Sequence, residues 1–200
     1  MLQVRARIEQ ELGSLYGAQS QRFSVGINRM ASEFVADGYC ARKHPIWKPG
    51  DQRQKLYFNA EGVLAEYAEI NGSMICHRII TPFSFFWSEK SFLLWQPCDT
   101  TMTCLKRSTI YSLDGKSVRE ITQEFGMGFF LANRLSRENI AHYRERSRDL
   151  SRLNPLERLE KTILANPHIL NHLSRAEMAS YLGLSRSSLF RAMNTLHRGA

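Results

Sequence analysis

The sequence predicts an α+β chain. A β-barrel or jelly roll follows short N-terminal helices, and a long helix then leads into a small three-helix unit. Three observations predict this. Short apolar runs separated by turn residues recur through the middle of the chain at a spacing of about ten residues, the habit of an all-β barrel or jelly roll. After Leu113 the apolar period changes from strand-like to helical. Near the end, Leu173–Leu196 reads as two short helices joined by a tight turn.

The elements follow in order. Val4, Ile8, Leu12 and Leu15 are spaced as one face of a helix from Leu2 to about Tyr16, and residues Ile27–Phe34 predict a second, shorter one. Lys48-Pro-Gly-Asp51 is a turn signature. A strand is expected at Gln54–Phe58, then a bend at Asn59-Ala-Glu-Gly62. Val63–Ile70 and Ser73–Ile80 flank Asn71-Gly72, a strong two-residue hairpin signal. Further strands are expected at Phe83–Trp87, Thr101–Leu105 and Ser108–Leu113. Asp114 is placed to cap a long helix whose apolar positions run through Val118, Ile121, Phe125, Phe129, Ala132, Leu135 and Ile140 to about Arg148. Gly126 and Gly128 are poor helix residues, each costing about 1 kcal/mol relative to alanine, and predict a kink or a close approach there. A basic run follows, with Arg144, Arg146, Arg148 and Arg152. Asn154-Pro155 starts a new helix, with a cap and then proline in the first turn, that stops before Asn166-Pro167. The divisions expected are 1–113 for N-terminal helices and barrel, 114–150 for the long connecting helix, and 151–200 for the three-helix unit.

The last pair of helices carries the functional signal. Ser174 and Ser185 are each placed to cap a helix, the hydroxyl accepting from an otherwise unpaired N–H. Gly183 stands where the chain must leave the first helix in a left-handed conformation. Met178 and Leu182 point inward from the first helix, and Leu189, Ala192, Met193 and Leu196 from the second, while Ala179 is small enough for a close helix crossing. That leaves Arg186, Ser187, Ser188 and Arg191 on the outward face near the second helix's N-terminus. Arginine pairs bidentately with guanine in the major groove, and serine suits a phosphate or a base edge. A DNA-binding helix-turn-helix is the reading favoured over a helical hairpin with a solvated basic face.

The whole chain agrees in charge. Its 200 residues carry a formal net charge of +8, which favours a polyanionic partner. The four cysteines, Cys40, Cys76, Cys98 and Cys104, form no CxxC pair, and reduced, mostly buried thiols are the expectation. No apolar run approaches the ~20 residues of a membrane span, and the start Met1-Leu-Gln-Val-Arg-Ala-Arg is too charged for a signal peptide. A cytoplasmic protein without a membrane association is expected.

This order of parts resembles the Crp/Fnr family of bacterial transcription regulators. Lys48-Pro-Gly-Asp51, Leu56-Tyr-Phe58 and Glu61-Gly62 are similar to the opening strands of that family's cyclic-nucleotide-binding-like barrel, and Leu173–Leu196 resembles its helix-turn-helix almost without gaps. The resemblance implies that Arg186, Ser187 and Arg191 touch base edges. Position 187 is often acidic in relatives that bind the best-known operator, so serine here implies a different target. It also implies a homodimer held by about Val118–Tyr143, with two recognition helices roughly 34 Å apart on a near-palindromic site in double-stranded DNA.

Two departures from the family pattern bear on function. Cyclic-nucleotide binders hold the ribose with a glycine and a glutamate, and the phosphate with an arginine followed by a small hydroxyl residue. Where the arginine should stand, this chain has Cys98, Asp99 and Thr100, and an aspartate repels phosphate. Cyclic nucleotide is therefore not the expected effector, and Glu89 reads as a loop carboxylate more readily than as a ribose contact. The chain also ends at His197-Arg-Gly-Ala200, so the β-wing of many relatives is expected to be missing. Phosphate contacts then fall to helix ends and to Arg175, Arg191 and Arg198.

Other chemistry is disfavoured. No cysteine precedes Cys40, against the cluster-binding branch, and His44 and His77 read as structural rather than as haem ligands. No cofactor and no metal is expected. The aromatics Phe83, Phe85, Phe86, Trp87, Phe92 and Trp95 read first as barrel core; the alternative is a pocket for a small apolar or planar effector. Of the six histidines (His44, His77, His142, His168, His172 and His197), only the first two fall in the barrel and neither is in an H-x-H pair. An oxygenase-type metal site, and catalysis generally, are not expected. A ligand-responsive regulator and a dimeric adaptor that binds protein are the alternatives that stay open.

Overall fold

The computed structural model describes residues 2–167 and 169–199. Met1, His168 and Ala200 lie outside the described residues, so nothing is drawn from that histidine or from the end expected to lack a wing. The chain divides into two compact units. One comprises the chain to Glu66 with Ile79–Glu138; the other comprises Tyr67–Arg78 with the chain from Asn139 onward.

The first unit opens with α1 (Leu2–Tyr16) and α2 (Ser24–Glu33). The stripe expected on α1 is the buried one, with Ile8 and Leu12 at its centre. The second helix starts three residues earlier than its apolar pattern suggests, and Ile27, Met30 and Ala31 bury its inner face. Eight strands follow: β1 (Val35–Cys40), β2 (Pro45–Trp47), β3 (Lys55–Glu61), β4 (Leu64–Ile70), β5 (Ser73–Ile80), β6 (Ser84–Phe86), β7 (Thr101–Cys104) and β8 (Ser108–Asp114). They form two four-stranded sheets, ordered β1-β8-β3-β6 and β2-β7-β4-β5. The recorded pairs of both sheets are antiparallel, as in Tyr57 opposite Ser112 and Tyr57 opposite Phe86. The barrel or jelly roll expected is found as two antiparallel sheets that do not close into a barrel. Bulges interrupt one edge pairing of each sheet, at Ala36/Gly38 in β1 and Pro45/Trp47 in β2. Proline and a bulge end pairing at an edge because one removes a donor and the other bends the ladder away.

One apolar cluster joins α1 and α2 to Leu56, Phe58, Phe85, Trp87 and Leu113, and a second holds Trp47, Tyr57, Leu64, Phe86, Met102 and Ile110. The aromatic run therefore divides. Phe85, Phe86 and Trp87 fill core, while Phe83 (48%) and Trp95 (52%) are exposed. Arg7 covers Phe83, and Arg119 stacks over Trp95 at 3.9 Å.

The cysteines depart from the expectation of four thiols. Cys40 and Cys104 are joined as a disulfide, with their Cα atoms 6.5 Å apart, and Cys76 and Cys98 are buried and belong to no disulfide. The ends of β1 and β7 are brought together there by the turn between β1 and β2, where Lys43 N–H donates to Cys104 O at 2.7 Å. A separation of 64 residues leaves no local spacing to reveal such a pair.

Asp114 caps as expected, its Oδ1 accepting from Lys116 N–H at 2.8 Å. The single long helix does not form, however. The chain makes α3 (Gly115–Glu124), breaks at Phe125–Met127, and resumes as α4 (Gly128–Arg152). Gly126 takes φ +66° at the break, a left-handed conformation that ends a helix cheaply only at glycine.

The second unit contains the tip of the β4–β5 hairpin, the later turns of α4, and three helices: α5 (Pro155–Ala165), α6 (Arg175–Leu182) and α7 (Arg186–Gly199). At the tip, Asn71 and Gly72 both have positive φ, the condition of a tight two-residue hairpin. A full capping box starts α5: Asn154 Oδ1 accepts from Glu157 N–H at 3.1 Å while Glu157 Oε2 accepts from Asn154 N–H at 2.8 Å. Leu159, Met178, Ala179, Leu182, Leu189 and Ala192 of these helices are buried, with Ile169 and Leu173 of the α5–α6 connection. No helix among the described residues is long and apolar enough to cross a membrane.

Candidate nucleic-acid interface

The interface is built on α6 and α7, and short-range chemistry sets both ends of α6. Ser174 and Glu177 form a second capping box, with Glu177 N–H donating to Ser174 Oγ at 3.2 Å and Ser174 N–H to Glu177 Oε2 at 2.6 Å. At the other end Gly183 sits at φ +64°, Leu184 N–H donates to Ala179 O at 2.9 Å, and Gly183 N–H donates to Ser180 O at 3.2 Å. This double bond pattern closes a helix through a left-handed residue. A Cβ on Gly183 would also stand 2.7 Å from Leu150 Cδ2. Glycine is therefore favoured here by conformation, while the half-exposed Leu150 side chain could move aside for a Cβ.

Two arginines outside the hairpin fasten the exposed carbonyl end of α6. Arg146 of α4 donates to Tyr181 O at 2.7 Å and to Cys76 O at 3.0 Å. Arg158 of α5 donates to Leu182 O at 2.8 Å and to Leu153 O at 3.0 Å. The β4–β5 tip adds a third tie, Cys76 N–H donating to Ser180 Oγ at 2.9 Å. The last carbonyls of a helix lack intrahelical donors, and cations there also meet the negative end of the dipole.

The turn Gly183-Leu184-Ser185 then starts α7. Ser185 Oγ accepts from Ser188 N–H at 3.1 Å and lies 2.9 Å from both the Ser187 and Ser188 hydroxyls. Arg191 reaches back to Ser188 Oγ at 3.4 Å. Leu189 and Ala192 are buried, Met193 and Leu196 half-buried. Arg186, Ser187, Phe190 and Arg191 are exposed, and Ser188 is half-buried beneath them. Arg175, exposed at the start of α6, lines one hollow of about 560 Å³ with Arg186, Ser187 and Phe190. The structure thus brings Arg175, Arg186 and Ser187 together, sets Ser185 and Ser188 as the brace beneath them, and puts Arg191 one turn further along. No acidic residue occurs in α7. Positive side chains beside a helix N-terminus make a face that attracts anions.

Sequence reasoning missed three residues of this arrangement. Arg146 is one of a basic run and Arg158 is the lone arginine of α5, and the α6 carbonyls that they reach lie 35 and 24 residues along the chain. Phe190 had a visible signal: a large apolar side chain lying outside the inward stripe of Leu189, Ala192, Met193 and Leu196.

The segment from Ser88 to Thr100 makes its own internal contacts. Asp99 is ion-paired to Lys90 at 2.9 Å. Thr100 Oγ1 donates to Glu66 Oε1 at 2.7 Å and accepts from Trp47 Nε1 at 3.2 Å, with Glu66 only 5% exposed. Glu89 begins a short π-helical turn, Glu89–Leu93, that Ser88 caps. Among the histidines, His142 Nε2 lies 3.1 Å from His77 O, and burial lowers the His142 pKa against the opposing effect of that hydrogen bond. Among the described residues no three histidine, cysteine or acidic side chains converge as metal ligands would.

No protein-family model matches the chain, and no curated protein matches its sequence. Solved structures do match. FixK2 from Bradyrhizobium japonicum superposes with a TM-score of 0.70 at 17% identity, covering 82% of this chain and 86% of that one. CLP of Xanthomonas campestris, a c-di-GMP-responsive global regulator, gives 0.65 at 14% identity over 88% and 92%. The catabolite activator protein of Thermus thermophilus gives 0.52 at 19% identity over 88% and 84%. These neighbours are Crp/Fnr-type regulators with cyclic-nucleotide-binding folds. At such identities the likeness concerns architecture alone: the chain has the fold of Crp/Fnr-type regulators.

Proposed function

We propose that the chain is a sequence-specific DNA-binding transcription regulator of the Crp/Fnr type, acting as a homodimer and not through cyclic nucleotide. The observation that carries this reading is the outer face of α7. Arg186, Ser187 and Arg191 stand exposed on an acid-free helix. Its partner α6 is held at one end by a capping box and at the other by two arginines. With α6 fixed this firmly, and α7 packed on it through Leu189 and Ala192 and capped by Ser185, the outer side chains of α7 are presented in one register, as reading base edges in a groove requires. Arg186 and Arg191 take the base edges, Ser187 and Ser188 serve bases or phosphates, and Ser185 keeps the helix start in place. Arg175 and Arg198, both exposed, reach phosphates.

Dimerisation is assigned to α4. Phe129, Asn133, Ser136, Ile140, Tyr143 and Ser147 repeat at alternating four- and three-residue steps, and Phe129 is 75% exposed. That spacing is the seam of a two-helix coiled coil, and Asn133 at a core position favours a defined register. Residues 1–113 then act as the sensor region, 114–150 as the dimerisation segment and 151–200 as the DNA-binding region. Against cyclic nucleotide stands the sequence Cys98-Asp99-Thr100 where relatives carry the phosphate-binding arginine; Asp99 pairs with Lys90 instead, and Thr100 donates to the buried Glu66. The core position of Phe85, Phe86 and Trp87 supports a filled barrel interior over an apolar effector pocket.

Selection of binding sites from a randomised duplex pool, with full-length protein at near-physiological salt, tests the proposal. A near-palindromic consensus with half-sites about one helical turn apart is expected. Failure to enrich any duplex, with or without cell extract, would refute it and favour a protein-binding adaptor.

A further inference from the structure

Phe190 is the feature of α7 that the roles above leave unexplained. It is a large apolar side chain, 55% exposed, on a helix whose inward positions are already filled by Leu189 and Ala192. It stands four residues after Arg186 and three after Ser187, the spacings that share a helix face. Arg175, Arg186, Ser187 and Phe190 line one hollow, with Leu189 and Met193 at its floor. An apolar ring among guanidinium groups does not suit an ordinary hydrophobic partner, because docking such a partner would strip water from charges that it does not neutralise. It does suit a polyanion that carries apolar groups at the depth the helix reaches. Duplex DNA has one such group in its major groove, the 5-methyl of thymine, and phenylalanine is among the side chains that contact it.

We infer that Phe190 is a specificity determinant that packs against a thymine methyl in each half-site; this rests on the DNA-binding reading above. The arginines beside it neutralise phosphate and read guanine, while Phe190 reads the one base-edge feature that hydrogen bonding cannot. The consensus is then expected to contain a thymine at one fixed position of each half-site, next to the base pair that Arg186 or Arg191 reads.

The test uses the full-length protein and the selected consensus duplex. Each thymine is replaced in turn by deoxyuridine, which removes the methyl and keeps the pairing. Wild type is expected to lose about fourfold in affinity per half-site at one symmetric position, the worth of burying one methyl-sized group. Phe190→Ala is expected to bind more weakly and to be indifferent to that replacement, while Phe190→Leu keeps part of the discrimination. Two results overturn the inference and leave DNA binding intact: wild type tolerates uracil at every position of a site that it binds, or Phe190→Ala keeps the same uracil penalty. If no duplex is bound at all, the DNA-binding reading falls and this inference falls with it.

Discussion

Replacing Arg146 by alanine is the sharpest test of how α6, the helix that precedes α7, is held. The guanidinium makes two charge-assisted hydrogen bonds, to Tyr181 O at 2.7 Å and Cys76 O at 3.0 Å, and its carbon lies 5.2 Å from the Tyr181 ring centroid. A hydrogen bond to a charged group contributes about 1.5–3 kcal/mol when buried. Arg146 is only half-buried, so water takes over part of each bond and the loss comes down to about 2 kcal/mol in total. That corresponds to a roughly 30-fold rise in local opening. Because a two-unit chain need not unfold in one step, the readout should be local: hydrogen exchange of the α6 amides and of the β4–β5 tip. Both should lose protection together, since one side chain joins them. Arg146→Lys should recover at most about half, as a single ammonium cannot fork to two carbonyls. Protection of α6 within threefold of wild type in the alanine variant would refute the clamp, and α6 would then owe its position to packing alone.

Three further outcomes are expected. Arg191→Ala should cost about 1–3 kcal/mol in specific DNA binding and relax selection at one base pair; equal losses for specific and random duplex would make it a phosphate contact instead. Thiol titration of the unreduced, denatured protein should find two thiols, and Cys40→Ser should destabilise it. Opening a 64-residue separation costs about 4 kcal/mol on chain-entropy grounds, and an unchanged melting temperature on full reduction would contradict this. Burial lowers the His142 pKa from 6.5, so the unfolded chain takes up the proton first as pH falls. Stability of the second unit should therefore hold above about pH 6.5 and decline below it, as followed by hydrogen exchange at pH 5 to 8. In His142→Gln the decline should flatten, and an unchanged slope would exclude His142 as its source.

The elements legible in the sequence are those whose signals are local. Ser174 with Glu177, Asn154 with Glu157, Asp114, and Asn71-Gly72 each act within four residues, so spacing alone exposes them. Gly126 is similar: its cost in a helix is intrinsic, and the chain does break there. What stayed hidden depends on distant partners. β1 carries no alternation, since five of its six residues are exposed, and it is a strand because β8 pairs with it. Cys40 finds Cys104 through the fold of two sheets. Arg144, Arg146 and Arg148 are indistinguishable as a basic run, yet Arg146 alone is half-buried and donates to carbonyls of two other elements. Helical periodicity gives the face on which such a residue lies, and the contact made by that face depends on the rest of the fold.

Charge placement in the second unit bears on the choice between DNA and a protein partner. From Asn139 onward the chain carries ten arginines and lysines against five acids, Glu145, Asp149, Glu157, Glu160 and Glu177. Four of those acids are engaged internally. Glu145 and Asp149 hold Lys161 at 2.7 Å each, and Glu157 and Glu177 complete the two capping boxes. Those contacts fix the acids at helix starts and between α4 and α5, and none stands on α7. The cations are distributed otherwise: Arg175, Arg186, Arg191 and Arg198 are exposed on α6 and α7, with no acid paired to them among the ion pairs of the described residues. A surface meant for a protein partner ordinarily mixes both signs to fix register. A face of one sign gives long-range attraction to a polyanion, and its binding must weaken steeply with salt as phosphate counterions are retained. The slope of log K against log salt therefore separates the two partners: two phosphates neutralised per subunit, by Arg175 and Arg198, predict a slope near −4 for the dimer, whereas an adaptor binding a mixed-charge protein surface would show a slope close to zero.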